Sequence, residues 1–214
     1  VIAATSAATL TVGTAVGGAD ITLRGAAIAL TGTTTGADVT LNATTGSITG
    51  SGLMSGTNLT VDAAQSATLN TSVTSLEATV GSDLTVTAAA GFDINNLTIG
   101  NDLAITAAGA ITQTTAVTVP GNTSLTAGSN PITLTLTNDF GGPVTVPSAS
   151  DVSLNDSNAL DLAAITASGN LTVTAGGDLT INGTQAITGE ADYTAANLAV
   201  DAAIGAANVA LNVT

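Results

Sequence analysis

The stretch Asn170-Leu171-Thr172-Val173-Thr174-Ala175-Gly176-Gly177-Asp178-Leu179-Thr180-Ile181 decides the fold. Leu171 and Val173 alternate with Thr172 and Thr174, the period of two that puts apolar residues on one side of a strand and polar ones on the other. Gly176-Gly177-Asp178 supplies a turn, and a second alternating run begins at once with Leu179. The phrase, Asp or Asn followed by aliphatic, Thr, aliphatic, recurs at Asp20-Ile21-Thr22-Leu23, Asp38-Val39-Thr40-Leu41, Asn58-Leu59-Thr60-Val61 and Asp83-Leu84-Thr85-Val86. Its first apolar position steps by 18 from Ile21 to Val39, by 20 from Val39 to Leu59, and by 19 from Leu84 to Leu103, Val152 to Leu171 and Leu179 to Leu198. Weaker phrases at Leu10, Leu69, Ile111, Val144, Ile187 and Val209 often fall about half a period away, so each period holds at least two strands.

Short strands repeating on this step coil rather than fold into separate hairpins. The pattern predicts an all-β fold, a parallel β-helix (β-solenoid) with about 19–20 residues per rung, aliphatic residues inside and Thr and Asp outside. Rungs stack at ~4.8 Å, so 214 residues make roughly eleven rungs and a rod of about 50 Å. Residues 1–214 are expected to form a single continuous solenoid. A narrow tube also explains the composition: the chain is 44% hydrophobic yet has two Phe, one Tyr and no Trp, because large rings do not fit at every rung. Gly91, Gly109 and Gly176 are expected to supply backbone conformations closed to other residues. Asn and Asp at recurring corners are expected to stack into ladders. The pattern loosens near 128–150, where Pro131, Pro143, Pro147 and the cluster Asn138-Asp139-Phe140-Gly141-Gly142 read as a protruding loop or a distorted rung. Asn138, Asp139 and Phe140 are the candidate contact loop. A second irregular corner runs from Thr44 to Gly56.

Composition removes whole classes of function. Charged residues are 7% of the chain, with Arg24 as the only Lys or Arg and a net charge of −14, which repels nucleic acid. No His and no Cys means no catalytic triad, no thiol nucleophile and no ordinary zinc or haem ligation. No cofactor or metal is expected, and the chain is not expected to be an enzyme. Thr and Asn interrupt every apolar run, so no stretch approaches the ~20 uninterrupted residues of a membrane span. The start, Val1-Ile2-Ala3-Ala4-Thr5, has no Met and no basic segment before an apolar one, as expected of a processed product or an excised segment.

The phrases at 169–183 and at 82–91, Ser-Asp-Leu-Thr-Val-Thr-Ala-Ala-Ala-Gly, resemble the repeats of filamentous-haemagglutinin-like bacterial exoproteins and adhesins, a two-partner-secreted family. The resemblance covers most of the chain in repeat length and phrase. It implies a right-handed β-helix that serves as the shaft of a secreted or cell-surface adhesin and displays binding regions away from the cell. The partners it implies are host or cell-surface glycans or proteins. The alternative is a self-assembling extracellular filament or sheath subunit that stacks end to end through open β edges.

The other candidate sites are weaker readings of the repeat. Nine Asn-x-Ser/Thr sequons occur, and Asn58, Asn96 and Asn170 are the candidates for glycosylation, although a Thr-rich repeat generates such triplets by itself. The acids, such as Asp20, Asp38, Asp83, Asp102 and Asp178, are spread singly and lack the spacing of a calcium loop, so they read as solvated corner carboxylates. A two-carboxylate hydrolase would draw on Asp151 with Asp156 or Asp156 with Asp161, and nothing in the sequence joins either pair to a cleft. Thr85-x-Thr87, Thr133-x-Thr135-x-Thr137 and Thr172-x-Thr174 suggest an ice-binding array, but Asn42, Asp62 and Asn182 replace the second Thr elsewhere.

Overall fold

A computed structural model describes residues 1–214. Every regular element is a β-strand, and every ladder is parallel. The coils stack into a β-solenoid of about 11 turns of ~19 residues. The step varies from 17, where Leu59 pairs with Leu76, to 22, where Thr126 pairs with Ser148.

Each turn has three sides, one more than the half-period spacing required. The first face carries Ile2–Thr5, Asp20–Gly25 and Asp38–Ala43 and ends with Leu160, Leu179 and Leu198 in register. The second runs unbroken from Thr9–Val12 through Ala27–Leu30, Leu84–Ala88, Leu103–Ala107, Thr123–Thr126 and Val144–Ala149 to Ile204–Gly205. The third, from Ile111–Gln113 through Ile132–Leu134, Val152–Asp156 and Leu171–Ala175 to Glu190–Ala195, grows out of the first, because Asp93 and Ile94 pair with Ser75 and Leu76 on one side and with Thr112 and Gln113 on the other. In Leu53–Ala63 and Ala67–Val80 one strand continues around a corner.

Alternation makes the core. In Leu84–Ala88 and again in Leu171–Ala175, the first, third and fifth residues are buried and the two Thr exposed. Because the register is parallel, Val86 lies over Leu69 and beneath Ile105, so like residues form continuous aliphatic columns. Fifty-five buried apolar residues form one cluster through the whole stack. Burying such side chains contributes about 1.5–3 kcal/mol each before chain entropy is counted.

Glycine permits close stacking more often than unusual torsion. Only Gly50 (φ 140°) and Gly128 (φ 62°) have left-handed backbone. Gly91, Gly109 and Gly176, expected to need such torsions, do not have them. A Cβ on Gly109 would overlap the Gly91 backbone, and one on Gly176 the Ser157 carbonyl, so the contact between rungs excludes a side chain there.

The region 128–150 is a distorted rung and not a protruding loop. Ile132–Phe140 and Val144–Ala149 are strands whose registers shift between Leu134 and Asn138, Val144 and Val146, and Val146 and Ala149. These bulges absorb the extra residues and Pro147 without leaving the stack. No helix is long and apolar enough to cross a membrane.

Candidate functional site

The distorted rung contains the most unusual chemistry in the molecule. In the third-face column, Gln113 stands over Ile94, where the repeat otherwise places an aliphatic residue. The following coil carries surplus chain, Thr135-Leu136-Thr137, which bulges outward and leaves Leu136 39% exposed. Asn138 is thereby turned inward and is fully buried.

Asn138 is satisfied at both ends of its amide. Its Oδ1 accepts from Val117 N at 2.8 Å and Gln113 Nε2 at 2.8 Å. Its Nδ2 donates to Gln113 Oε1 at 3.1 Å, Leu134 O at 3.1 Å and Asn155 O at 3.0 Å. Asp156 follows in register above Asn138 and is 1% exposed. Its Oδ2 accepts from Phe140 N at 2.8 Å and its Oδ1 from Asn158 N at 2.8 Å. On the first face the ladder pairs Val119 with Phe140 and Leu160 with Leu179, with no pairing between Phe140 and Leu160. The Asp156 carboxylate thus accepts the amide that the missing pairing would have satisfied. Burial pushes its pKa up, the two backbone hydrogen bonds oppose this, and the nearby Asp139 charge adds to the rise.

The expected contact loop is therefore corrected. Asn138 and Phe140 are interior residues at 0% and 1% exposure, and only Asp139 faces outward, where its Oδ1 accepts from Asn158 Nδ2 at 3.0 Å. The cluster Asn-Asp-Phe-Gly-Gly has turn composition, but Phe140 fills the core position above Val119. Asn58, Asn96 and Asn170 are all exposed. Each uses its amide between rungs: Asn58 Nδ2 donates to Asp38 Oδ1 at 2.7 Å, Asn96 Nδ2 to Glu77 Oε1 at 3.4 Å, and Asn170 Oδ1 accepts from Glu190 N at 2.9 Å.

That arrangement is general. Asn101 bonds Asp83, Asn197 bonds Asp178 and Asn212 bonds Asp192 one rung away, at 2.7, 2.7 and 2.8 Å. Alternating an amide with a carboxylate keeps like charges from stacking along the column; Asp20 beneath Asp38 is an exception. The Asn101 amide, with the Asp102 N–H, holds the Asp83 carboxyl below the usual carboxylate range.

The hydrolase pairs do not share a cleft. Asp151 is an exposed corner whose Oδ1 accepts from Asn170 N at 2.8 Å, Asp156 is interior, and Asp161 lies on the first face opposite Thr180. No three acidic side chains gather closely enough to hold a metal ion. The Thr pairs are outward-facing, although the third-face columns alternate Thr133 with Ser153 and Thr135 is displaced by the bulge. Residue-by-residue reading missed the polar trio of half-buried Gln113 and buried Asn138 and Asp156. Its signal was a polar residue at Gln113, where neighbouring coils place Ile94, Leu154 or Val173, and at Asn138 and Asp156, where the next coil places Ala175. It also missed Tyr193, fully buried among aliphatic neighbours, whose hydroxyl has no partner and whose pKa burial pushes up to about 12.

No curated protein and no solved structure matches the chain. A family model described as repeats of unknown function (DUF5649) matches twice, at residues 81–147 and 149–214. That description names a repeat and no exoprotein. The boundary between the two copies falls within the strand Val144–Ala149, so each copy spans several coils of one stack. The two copies take in more than half of the sequence, and the chain belongs to this family of DUF5649 repeats.

Proposed function

We propose that the chain is a non-catalytic shaft of a bacterial cell-surface or secreted adhesin, which holds binding regions away from the cell. The single observation that carries this reading is the one apolar core cluster that runs along the stack from Val12 to Ala195. Bending such a rod requires separating stacked side chains and ladder hydrogen bonds together, so it keeps whatever lies at its two ends apart. The carboxylate and amide columns add support, because they place solvated charge along the rod while tying one rung to the next. The partners in this reading are host or cell-surface glycans or proteins, met by the displayed regions.

The test combines the intact mass of the native polypeptide with antibody labelling of whole, unpermeabilised cells. The shaft predicts a native chain much larger than 20.3 kDa and labelled outside the cell. A native mass near 20.3 kDa with long filaments would establish the filament or sheath subunit instead. Labelling only after the cells are opened would remove both readings.

A further inference from the structure

The fifteen acidic residues and Arg24 are unevenly distributed over the three faces. Asp20, Arg24, Asp38, Asp62, Glu77, Asp93, Asp139, Asp161, Asp178 and Asp192 belong to the first and third faces. The segments paired along the second face carry none. From Thr9–Val12 to Ile204–Gly205, ten successive parallel pairings join eleven strands whose outward residues are Thr, Ser, Ala, Asn or Pro. Asp83, Asp102 and Asp201 stand only at its rim. A shallow groove runs along its later coils, lined by Gly128, Ser148, Thr166, Ala186 and Gly205.

We propose that this uncharged face binds a second copy of the same chain side by side. Three features select that occupant. A rod at −14 repels its own copies, and this is the one face on which two copies meet without opposing carboxylates. The face is about 16 Å wide, from the five residues of Leu84–Ala88, and about 48 Å long at strand spacing, so it covers on the order of 700 Å², close to the ~800 Å² per partner of a stable interface. Both rods also carry the same rung repeat, so rows of small side chains such as Thr87, Thr106 and Thr126 on one copy fall between rows on the other along the whole length, as in paired sheets with dry, interlocking faces. A two-fold axis through the face makes the contact self-complementary and closed at two copies. The central strand of the eleven is Leu103–Ala107, so Thr106 lies near that axis. This pairing is independent of where the rod is displayed, and it uses the side of the rod and not its ends.

The experiment is sedimentation of the 214-residue chain across concentration and salt. Pairing predicts a species of twice 20.3 kDa that becomes more populated as salt rises, because screening weakens the residual repulsion. The double variant Thr106→Glu, Thr126→Glu is expected to remain monomeric at concentrations where the wild-type chain is dimeric, whereas Thr172→Glu, Thr174→Glu on the third face leaves the dimer intact. The chain has no cysteine, so Thr106→Cys gives a second readout in an otherwise wild-type face: oxidation is expected to cross-link pairs, and Thr172→Cys is expected not to. A chain that stays monomeric at millimolar concentration in high salt overturns the proposal, as does a dimer that survives the glutamates at Thr106 and Thr126. A wild-type chain that stays monomeric while a neutral polysaccharide protects the second-face amides from exchange would assign the face to a glycan and also overturn it.

Discussion

Replacing Asn138 by Ala removes the centre of the polar trio and leaves its partners in place. The Val117 N–H loses its Asn138 Oδ1 acceptor, and the Leu134 and Asn155 carbonyls lose their Nδ2 donor. A buried backbone group left without a partner costs about 1–3 kcal/mol. The amide donor bears the larger share, because a carbonyl retains a second lone pair and Gln113, half-buried, can turn toward water. The total is therefore about 3–5 kcal/mol. Asn138→Asp is expected to be as damaging, since a second carboxylate enters the site next to Asp156 and no donor faces Leu134 O. A solenoid does not unfold as a single unit, so hydrogen exchange read peptide by peptide is the suitable assay. Protection of the Val117 amide and of the coils from about 111 to 160 is expected to fall by roughly two to four orders of magnitude, with little change in the coils before residue 80. A loss below about 1 kcal/mol would show that Asn138 is not the buried hydrogen-bonding centre described here.

Three further outcomes follow from the same structure. Leu125→Ala, at a position with no exposed surface, is expected to cost about 2–5 kcal/mol in urea unfolding, whereas Thr126→Ala beside it should change stability by less than about 0.5 kcal/mol. Tyr193 is the only tyrosine, so phenolate absorbance at 295 nm reports it alone; its midpoint should lie at about 12, and a midpoint near 10 would place the ring in water. The two shifted carboxyls act in opposite directions on acid stability. The folded-state pKa of Asp156 is raised, so its penalty is absent below the unfolded value near 3.8 and grows as pH rises through the folded value; Asp83 is depressed, so its contribution is present above 3.8 and is lost as pH falls through its folded value. Melting temperatures from pH 2 to 7 should therefore show Asp156→Asn gaining relative to wild type as pH rises and Asp83→Asn gaining as pH falls. The opposite slope for either variant would contradict the assignment.

Most of the architecture was legible because alternation and step length are the same physical constraint read twice. Leu171 and Val173 point inward for the reason that Leu84 and Val86 do, and the 19-residue step sets one above the next. In the first coils the third side of each turn was hidden because the strands between the second face and the next first-face strand, Val16–Gly17 and Thr34–Thr35, are only two residues long and show no alternation. Asn138-Asp139-Phe140 was misread because turn composition describes what a residue tolerates locally and says nothing of a donor supplied by Gln113, 25 positions earlier. Gly91 and Gly109 show the same limit: their requirement is the distance between neighbouring coils, a property of the stack and not of the dipeptide. The uncharged second face was present in the text throughout, but it became visible only when register assigned each carboxylate to a side.

The in-register parallel stack is the central claim, and amide-to-amide nuclear Overhauser contacts test it most directly. Val86 with Ile105, Leu103 with Thr123 and Leu171 with Ala191 should give cross-strand contacts that run in the same chain direction. Contacts pairing Leu84 with Ala107 and Ala88 with Leu103 would mean antiparallel hairpins, and the rod, its core columns and its uncharged face would all fall with the register.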